Sequence, residues 1–265
     1  MLIAQISDLH VRPDGELYAG RVAANAMAAA AVQHLNALDP RPDLAIVTGD
    51  LVDNGTDAEY AAVRAILDVI AIPYVVIPGN HDQREPFRRA FADHAYLPAD
   101  GGPLNYVLDA HPLRIVALDT TVAGKHHGEI DAASLAWLSR QLDADAATPT
   151  LVLMHHHPFA SGIPFLDGYR LVNAAAVEEI IAAHDNVERV LCGHVHRFML
   201  RRLGGTIAMA CPSTASQIAL RLAPDAPPAS IMEPPGCLIH HWQPGGGLVS
   251  HLSPIGEHGT PMTFF

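Results

Sequence analysis

The chain has no apolar run near the roughly 20 residues needed to cross a bilayer, which excludes a spanning helix and argues against membrane association. It has only three cysteines, Cys192, Cys211 and Cys237, with no paired spacing. That excludes a disulfide framework and predicts free thiols in a reducing cytoplasm. Positive charge is scarce: 16 Lys and Arg stand against 28 Asp and Glu, for a formal net charge of −12. Affinity for long nucleic acids rests on neutralising phosphates with Lys and Arg, so this chain is a poor partner for them. The same deficit opposes any phosphate chemistry unless bound cations offset it locally. The N-terminal "MLIAQISDLH" lacks a basic region and meets polar residues after six positions, so it reads as a first strand rather than a signal peptide. There is no internal repeat and no clear linker.

What is present points to a folded domain. The hydrophobic share is 49% and the mean hydropathy is +0.17, values outside the disordered range. Short apolar runs alternate with longer helical patterns. "LIAQI" (2–6), "LAIVT" (44–48), "YVVI" (74–77), "YVLDA" (106–110), "RIVALD" (114–119), "TLVLM" (150–154) and "VERVLC" (187–192) read as strands. An Ala-rich stretch over 21–38 reads as a helix. Thr56 and Glu59 fit a capping box, followed by Tyr60, Val63, Leu67 and Ile70 at helical spacing. Further helical patterns cover 131–143 and 173–183. Alternating strands and helices favour a layered α/β domain. The C-terminal part differs. Residues 196–210 read as a hairpin about a Gly-Gly turn, and "QPGGG" joins two more strand-like runs. We therefore expect a single domain over 1–265, with 205–265 as a strand and loop extension.

Histidine is abundant, with 17 in the chain, and its placement is informative. Asp8 and His10 follow the first strand, Asp50 the second, and Asn80 and His81 the third. His155, His156 and His157 follow "TLVLM"; His194 and His196 follow "VERVLCG". In α/β sheets ligands bind outside the carboxyl ends of strands. Turn chemistry accounts for Gly, Asn and Asp at such positions, but it does not call for histidine.

The blocks "DLH" (8–10), "GD" (49–50), "GNHD" (79–82), "MHHHP" (154–158) and "GHVH" (193–196) resemble the signature of the calcineurin-like metallophosphoesterase superfamily. Within it the chain is most similar to the bacterial class III phosphodiesterases, which act on cyclic nucleotides or glycerophosphodiesters. The resemblance implies an α/β fold, a layered α-β-β-α metallophosphoesterase sandwich with C-terminal antiparallel strands. It also implies two divalent metal ions. Asp8, His10 and His196 would bind one, Asn80, His155 and His194 the other, and Asp50 would bridge them. Ungapped matching from Met154 points to His155, whereas counting back from Pro158 points to His156. His155 is taken as the ligand and His156 as lining the substrate pocket.

Two close dications need a bridging anion, which Asp50 supplies. The site must still attract a phosphate, so an amide at Asn80 completes coordination without adding negative charge. Mixed N/O ligation suits Fe, Mn or Zn. Asn80 and His81 would contact substrate. His81 would donate to a phosphoryl oxygen or protonate the leaving alkoxide. Asp82 would either orient that imidazole or cap the next helix.

The reaction implied is in-line attack of a metal-bound hydroxide on a small phosphodiester. Rival readings are a phosphomonoesterase or protein phosphatase on the same site, a nuclease, and a non-catalytic scaffold. Lys125, His126 and His127 read first as a solvated loop. Specificity should lie in loops near 96–105, 121–130, 157–170 and 213–235. The tail "GEHGTPMTFF" offers a surface for a homo-oligomer.

Overall fold

A computed structural model of the chain describes residues 1–110, 112–259 and 262–264. His111 and parts of the tail, Thr260, Pro261 and Phe265, lie outside the described residues.

In chain order the elements are β1 (Leu2–Ile6), α1 (Ala24–Ala37), β2 (Leu44–Val47), α2 (Asp57–Leu67), β3 (Tyr74–Val76), α3 (Arg84–Ala90), β4 (Tyr106–Ala110), β5 (Leu113–Ala117) and α4 (Ala132–Ala144). Then follow β6 (Thr150–Leu153), α5 (Pro164–Asp167), α6 (Ala174–Ala182), β7 (Val187–Cys192), β8 (Met199–Leu203), β9 (Thr206–Ala210), β10 (Gln217–Ile218), β11 (Ser230–Ile231), β12 (Gly236–Gln243) and β13 (Gly247–Pro254).

Two sheets stack face to face. The first is 5-stranded in the order β13-β12-β1-β2-β3, and the second is 6-stranded in the order β4-β5-β6-β7-β9-β8. The strands that feed the site are parallel: β1 with β2, β2 with β3, and β6 with β7. The expected C-terminal hairpins form. β8–β9 extends the second sheet, and β12–β13 joins the first through an antiparallel pairing of β12 with β1.

The period-2 alternation of strands sorts the side chains into layers. Ile3, Leu44, Ile46 and Val75 meet Ile115, Ala117, Leu151, Leu153 and Leu191 between the sheets. Ala4, Ile6, Ala45, Val47 and Val76 face the other way, against α1, α2 and α3. Val116, Val152 and Val190 face α4 and α6. This is the α-β-β-α sandwich. Strands buried on both faces read as continuous apolar runs, which is why "LAIV" and "TLVL" stand out in the sequence. The capping box at α2 is present, with Thr56 and Glu59 satisfying each other's backbone N–H.

Candidate metal centre

Each chemistry-bearing segment begins where a parallel strand stops. The backbone of Asp8 donates to Gly49 O (3.0 Å) and that of His10 to Asp50 O (3.0 Å), so the loops after β1 and β2 run together. The cost is visible in the dihedrals. Asp8, His10, Asp50, His194 and His196 all have positive φ, at 54°, 49°, 50°, 70° and 49°. Left-handed backbone at non-glycine residues clusters where a surrounding structure over-determines it, typically at functional sites. Glycines beside them allow close approach. A Cβ on Gly193 would lie 2.0 Å from Ser7 Oγ and 2.8 Å from Asp8 Oδ2, and one on Gly79 would lie 2.3 Å from Asp50 N.

The side chains converge. His10 Nε2 lies 3.0 Å from His196 Nε2 and 3.8 Å from Asp50 Oδ2, and His196 Nε2 lies 3.4 Å from Asp8 Oδ1. On the other side of Asp50, His155 Nε2 lies 3.3 Å from Asp50 Oδ2, 3.2 Å from Asn80 Oδ1 and 3.3 Å from His194 Nδ1. Asp8, His10, Asp50 and His196 thus form one potential cation-binding group, and His155, His156 and His194 contribute to another.

Hydrogen bonds on the far side of two of these rings fix their orientation. His155 Nδ1 donates to Thr48 O (2.8 Å) and His196 Nδ1 to Ser216 O (2.8 Å). Their Nε2 atoms therefore point inward, toward Asp50 and Asp8. His10 Nε2 and His196 Nε2 face each other at 3.0 Å. Such a set of facing acceptors fits a divalent cation with N/O ligation. His156 differs. Its Nδ1 takes a hydrogen bond from Thr120 Oγ1 (2.7 Å), and its Nε2 donates to His126 O (3.2 Å), so both nitrogens are engaged.

Burial lowers His10 and His194 far below the ordinary imidazole value, with neighbouring imidazoles adding to the effect. Burial acts on His155 in the same direction, but the Asp50 charge beside it prevails and lifts it to about 9. Burial would raise Asp50; His155 and His81 outweigh it and hold the carboxyl well below its usual range. Burial also acts to lower His196 and His81, but Asp8 prevails at His196 and raises it, and Asp50 and Asp53 lift His81 to about 10, so the imidazoles beside a carboxylate gain protons while His10 and His194 lose them.

Residues 1–198 match the Calcineurin-like phosphoesterase family. The chain belongs to that family. Over 266 residues it is 33% identical to a probable glycerophosphodiester phosphodiesterase, GpdQ, of Arcobacter nitrofigilis, covering 100% of this chain and 97% of that one. It is 34% identical over 175 residues to the 3',5'-cyclic adenosine monophosphate phosphodiesterase CpdA of Escherichia coli K12, covering 66% of this chain and 62% of the relative. Among solved structures, a dimetal phosphatase from Danio rerio superposes with a TM-score of 0.64 at 15% identity, covering 97% and 99% of the two chains, a likeness of fold. Calcineurin-like phosphoesterases use a dimetal centre, and the clusters around Asp50 are groups that can hold one.

In this phosphoesterase the sequence reading of Asp82 needs correction. Its buried carboxylate neither orients His81 nor caps α3, whose N-cap is Gln83. It accepts from Gly79 N (2.8 Å), Leu51 N (3.2 Å) and Tyr60 OH (2.9 Å), bracing the backbone behind Asp50 and Asn80. Asp53, which sequence reasoning passed over, takes the orienting position. His81 Nδ1 donates to Asp53 O (2.8 Å), and Asp53 Oδ1 is 3.4 Å from the same nitrogen. Arg12 in turn grips Asp53 Oδ2 (3.1 Å) and Glu59 Oε1 (2.8 Å). The signal was the spacing Asp50-x-x-Asp53 within "GDLVDNG". His126 also departs from the solvated-loop reading: although exposed, it reaches Asn80 Nδ2 (3.4 Å) and lines the cleft. That cleft, about 180 Å³, opens over Asp50, Asn80, His81, His194 and His196, with Tyr18, Tyr169 and Ile218 on its walls. No helix among the described residues is long and apolar enough to cross a membrane.

Proposed function

We propose that this phosphoesterase hydrolyses small phosphodiesters, cyclic nucleotides or glycerophosphodiesters, at a pair of Fe, Mn or Zn ions. Asp8, His10, Asp50 and His196 would hold one, and Asp50, Asn80, His155 and His194 the other. The observation that carries this is the convergence of inward-facing imidazole nitrogens on both sides of Asp50, at 3.0–3.8 Å. The identities of the relatives support the choice of a diester. His155 rather than His156 is the ligand in this assignment, because only His155 has a ring nitrogen free to face Asp50.

A bound cation pair supplies Lewis-acid stabilisation and an activated water. The chain's own groups do the rest. Asn80 adds an uncharged oxygen, so the cluster stays electropositive enough to accept a phosphate. His81, anchored at Nδ1 by Asp53 O, is left with Nε2 to hand a proton to the departing oxygen. His156 serves the pocket by fixing the loop that carries His126. Every residue in this scheme comes from one chain, which works as a single domain over 1–265. The buried free thiols of Cys192, Cys211 and Cys237 support a cytoplasmic site of action.

The decisive experiment is a panel of cyclic diesters, linear diesters, monoesters and oligonucleotides on protein reconstituted with each metal. Diesters should turn over fastest. Monoester preference would instead indicate a phosphomonoesterase or protein phosphatase, and full metal loading without turnover a scaffold. His81→Ala should keep its metal and lose about 10²–10⁴ in kcat, with Asp53→Asn losing roughly 10- to 100-fold, the usual scale for an orienting partner.

A further inference from the structure

A ledge beside the cleft explains more than phosphate chemistry requires. Gly128 N donates to Arg170 O (3.3 Å), Val172 N to Gly128 O (2.9 Å) and Leu171 N to His157 O (3.2 Å). These bonds stitch the segment ending at Gly128 to the one after α5, and His156 Nε2 holds His126 O from below. A Cβ on Gly128 would sit 2.4 Å from the His156 ring, so the stitch has no slack. The ledge presents aromatic rings in sequence. The His81 ring lies 5.9 Å from His126, His126 lies 5.4 Å from Tyr169, and Phe165 backs Tyr169 edge-on at 6.4 Å. Tyr169 is 41% exposed, although it stands on a rigid support at the mouth of a catalytic cleft.

We propose that Tyr169 is the platform on which the organic substituent of the diester stacks, and that this substituent is a nucleobase. The substrate class is then a base-bearing diester, a cyclic nucleotide rather than a glycerophosphodiester. This rests on the reading of the cleft as a phosphodiesterase site. The two ring-to-ring steps, 5.9 Å and 5.4 Å, together set an upper bound on the distance from His81 to Tyr169, and that bound is within the reach of a nucleotide from phosphate to base, so a phosphate at Asn80 and His81 lets its base reach Tyr169. Ile218 and Tyr18 line the same cleft and add apolar wall. A glycerol substituent has no π face and gains nothing from an exposed phenol ring. Stacking on an aromatic side chain is tolerant of base identity, so adenine and guanine should be accepted alike.

The test is calorimetric titration of zinc-loaded wild type, Tyr169→Leu and Tyr169→Phe with AMP and with glycerol 3-phosphate. Tyr169→Leu should lower the AMP-to-glycerol-phosphate affinity ratio about tenfold, the scale of one lost base stack; Tyr169→Phe should retain the ratio. Equal weakening of both ligands, no change, or equal wild-type affinities would overturn the proposal. Saturation-transfer NMR on the wild type with AMP needs no variant. The strongest transfer should reach the base protons, and transfer confined to the ribose would overturn the proposal too. Hydrolysis of cyclic AMP and glycerophosphoethanolamine is scored separately. A wild type that cleaves neither refutes the phosphodiesterase reading, while the binding data still judge the platform.

Discussion

The loops of the first sheet carry every proposed oxygen ligand, Asp8, Asp50 and Asn80, with His10 and His81 among them; those of the second carry imidazoles alone, His155, His194 and His196. The division has an electrostatic sense. Carboxylates on adjacent strands repel, and more of them from the opposite sheet would repel harder and cancel the charge a phosphate needs. Imidazoles supply ligation without negative charge. The proposed pair of ions draws its ligands from both sheets, so cation affinity and folding would be linked.

Polar contacts join the two sheets behind the site. His155 Nδ1 reaches Thr48 O, His194 N donates to Asp8 Oδ1 (3.0 Å), and Gln5 Nε2 donates to both Thr48 Oγ1 (3.0 Å) and Cys192 O (3.1 Å). Gln5 Oε1 is itself held by His240 Nε2 (3.1 Å) from β12. Breaking the oxygen side should therefore cost most. Asp50→Ala removes the one carboxylate shared by both clusters. It should lose cation stoichiometry and roughly 10³-fold or more in turnover, the equivalent of several kcal/mol; metal analysis and kcat on the same sample check this. Forcing the sheets apart comes next. Gly193→Ala drives a methyl into Ser7 and Asp8 and should destabilise the protein by about 3 kcal/mol, the upper range for overpacking, read from denaturant midpoints, with weaker cation binding alongside.

The smallest effect concerns the His240 relay. Burial pushes its imidazole down to about 3, with Arg189 assisting. A histidine lowered in the folded state leaves the unfolded chain binding the extra proton. Its stabilising contribution is full above pH 6.5 and declines as pH falls from there toward 3. Between pH 6.5 and 5 the loss should be about 2 kcal/mol. His240→Gln should flatten the stability profile over that interval by this amount relative to wild type.

The contrast between sheets also explains what was legible in the sequence. Strands buried on both faces announce themselves as apolar runs, and the residues just past their ends need no long-range knowledge to find. Thus Asp8, Asp50, Asn80 and His194 stand out in the sequence as candidates. Asp82 was misjudged because a carboxylate after Asn-His suits a cap, an orienter and a backbone brace equally, and only the backbone path chooses among them. His126 and Tyr169 had no periodic signal. They meet because of one isolated bridge between Gly128 and Leu171, and such a bridge leaves no mark in composition.

The positive-φ residues have a corollary for how the chain can change. Each left-handed non-glycine residue stores about 1–3 kcal/mol, and Asp8, His10, Asp50, His194 and His196 all carry it. Glycine would relieve that burden at any of these positions while abolishing a donor. A descendant freed from selection for turnover would thus gain robustness by shedding the very side chains that once made it useful. Glycine at these places would be a fingerprint of retirement from catalysis.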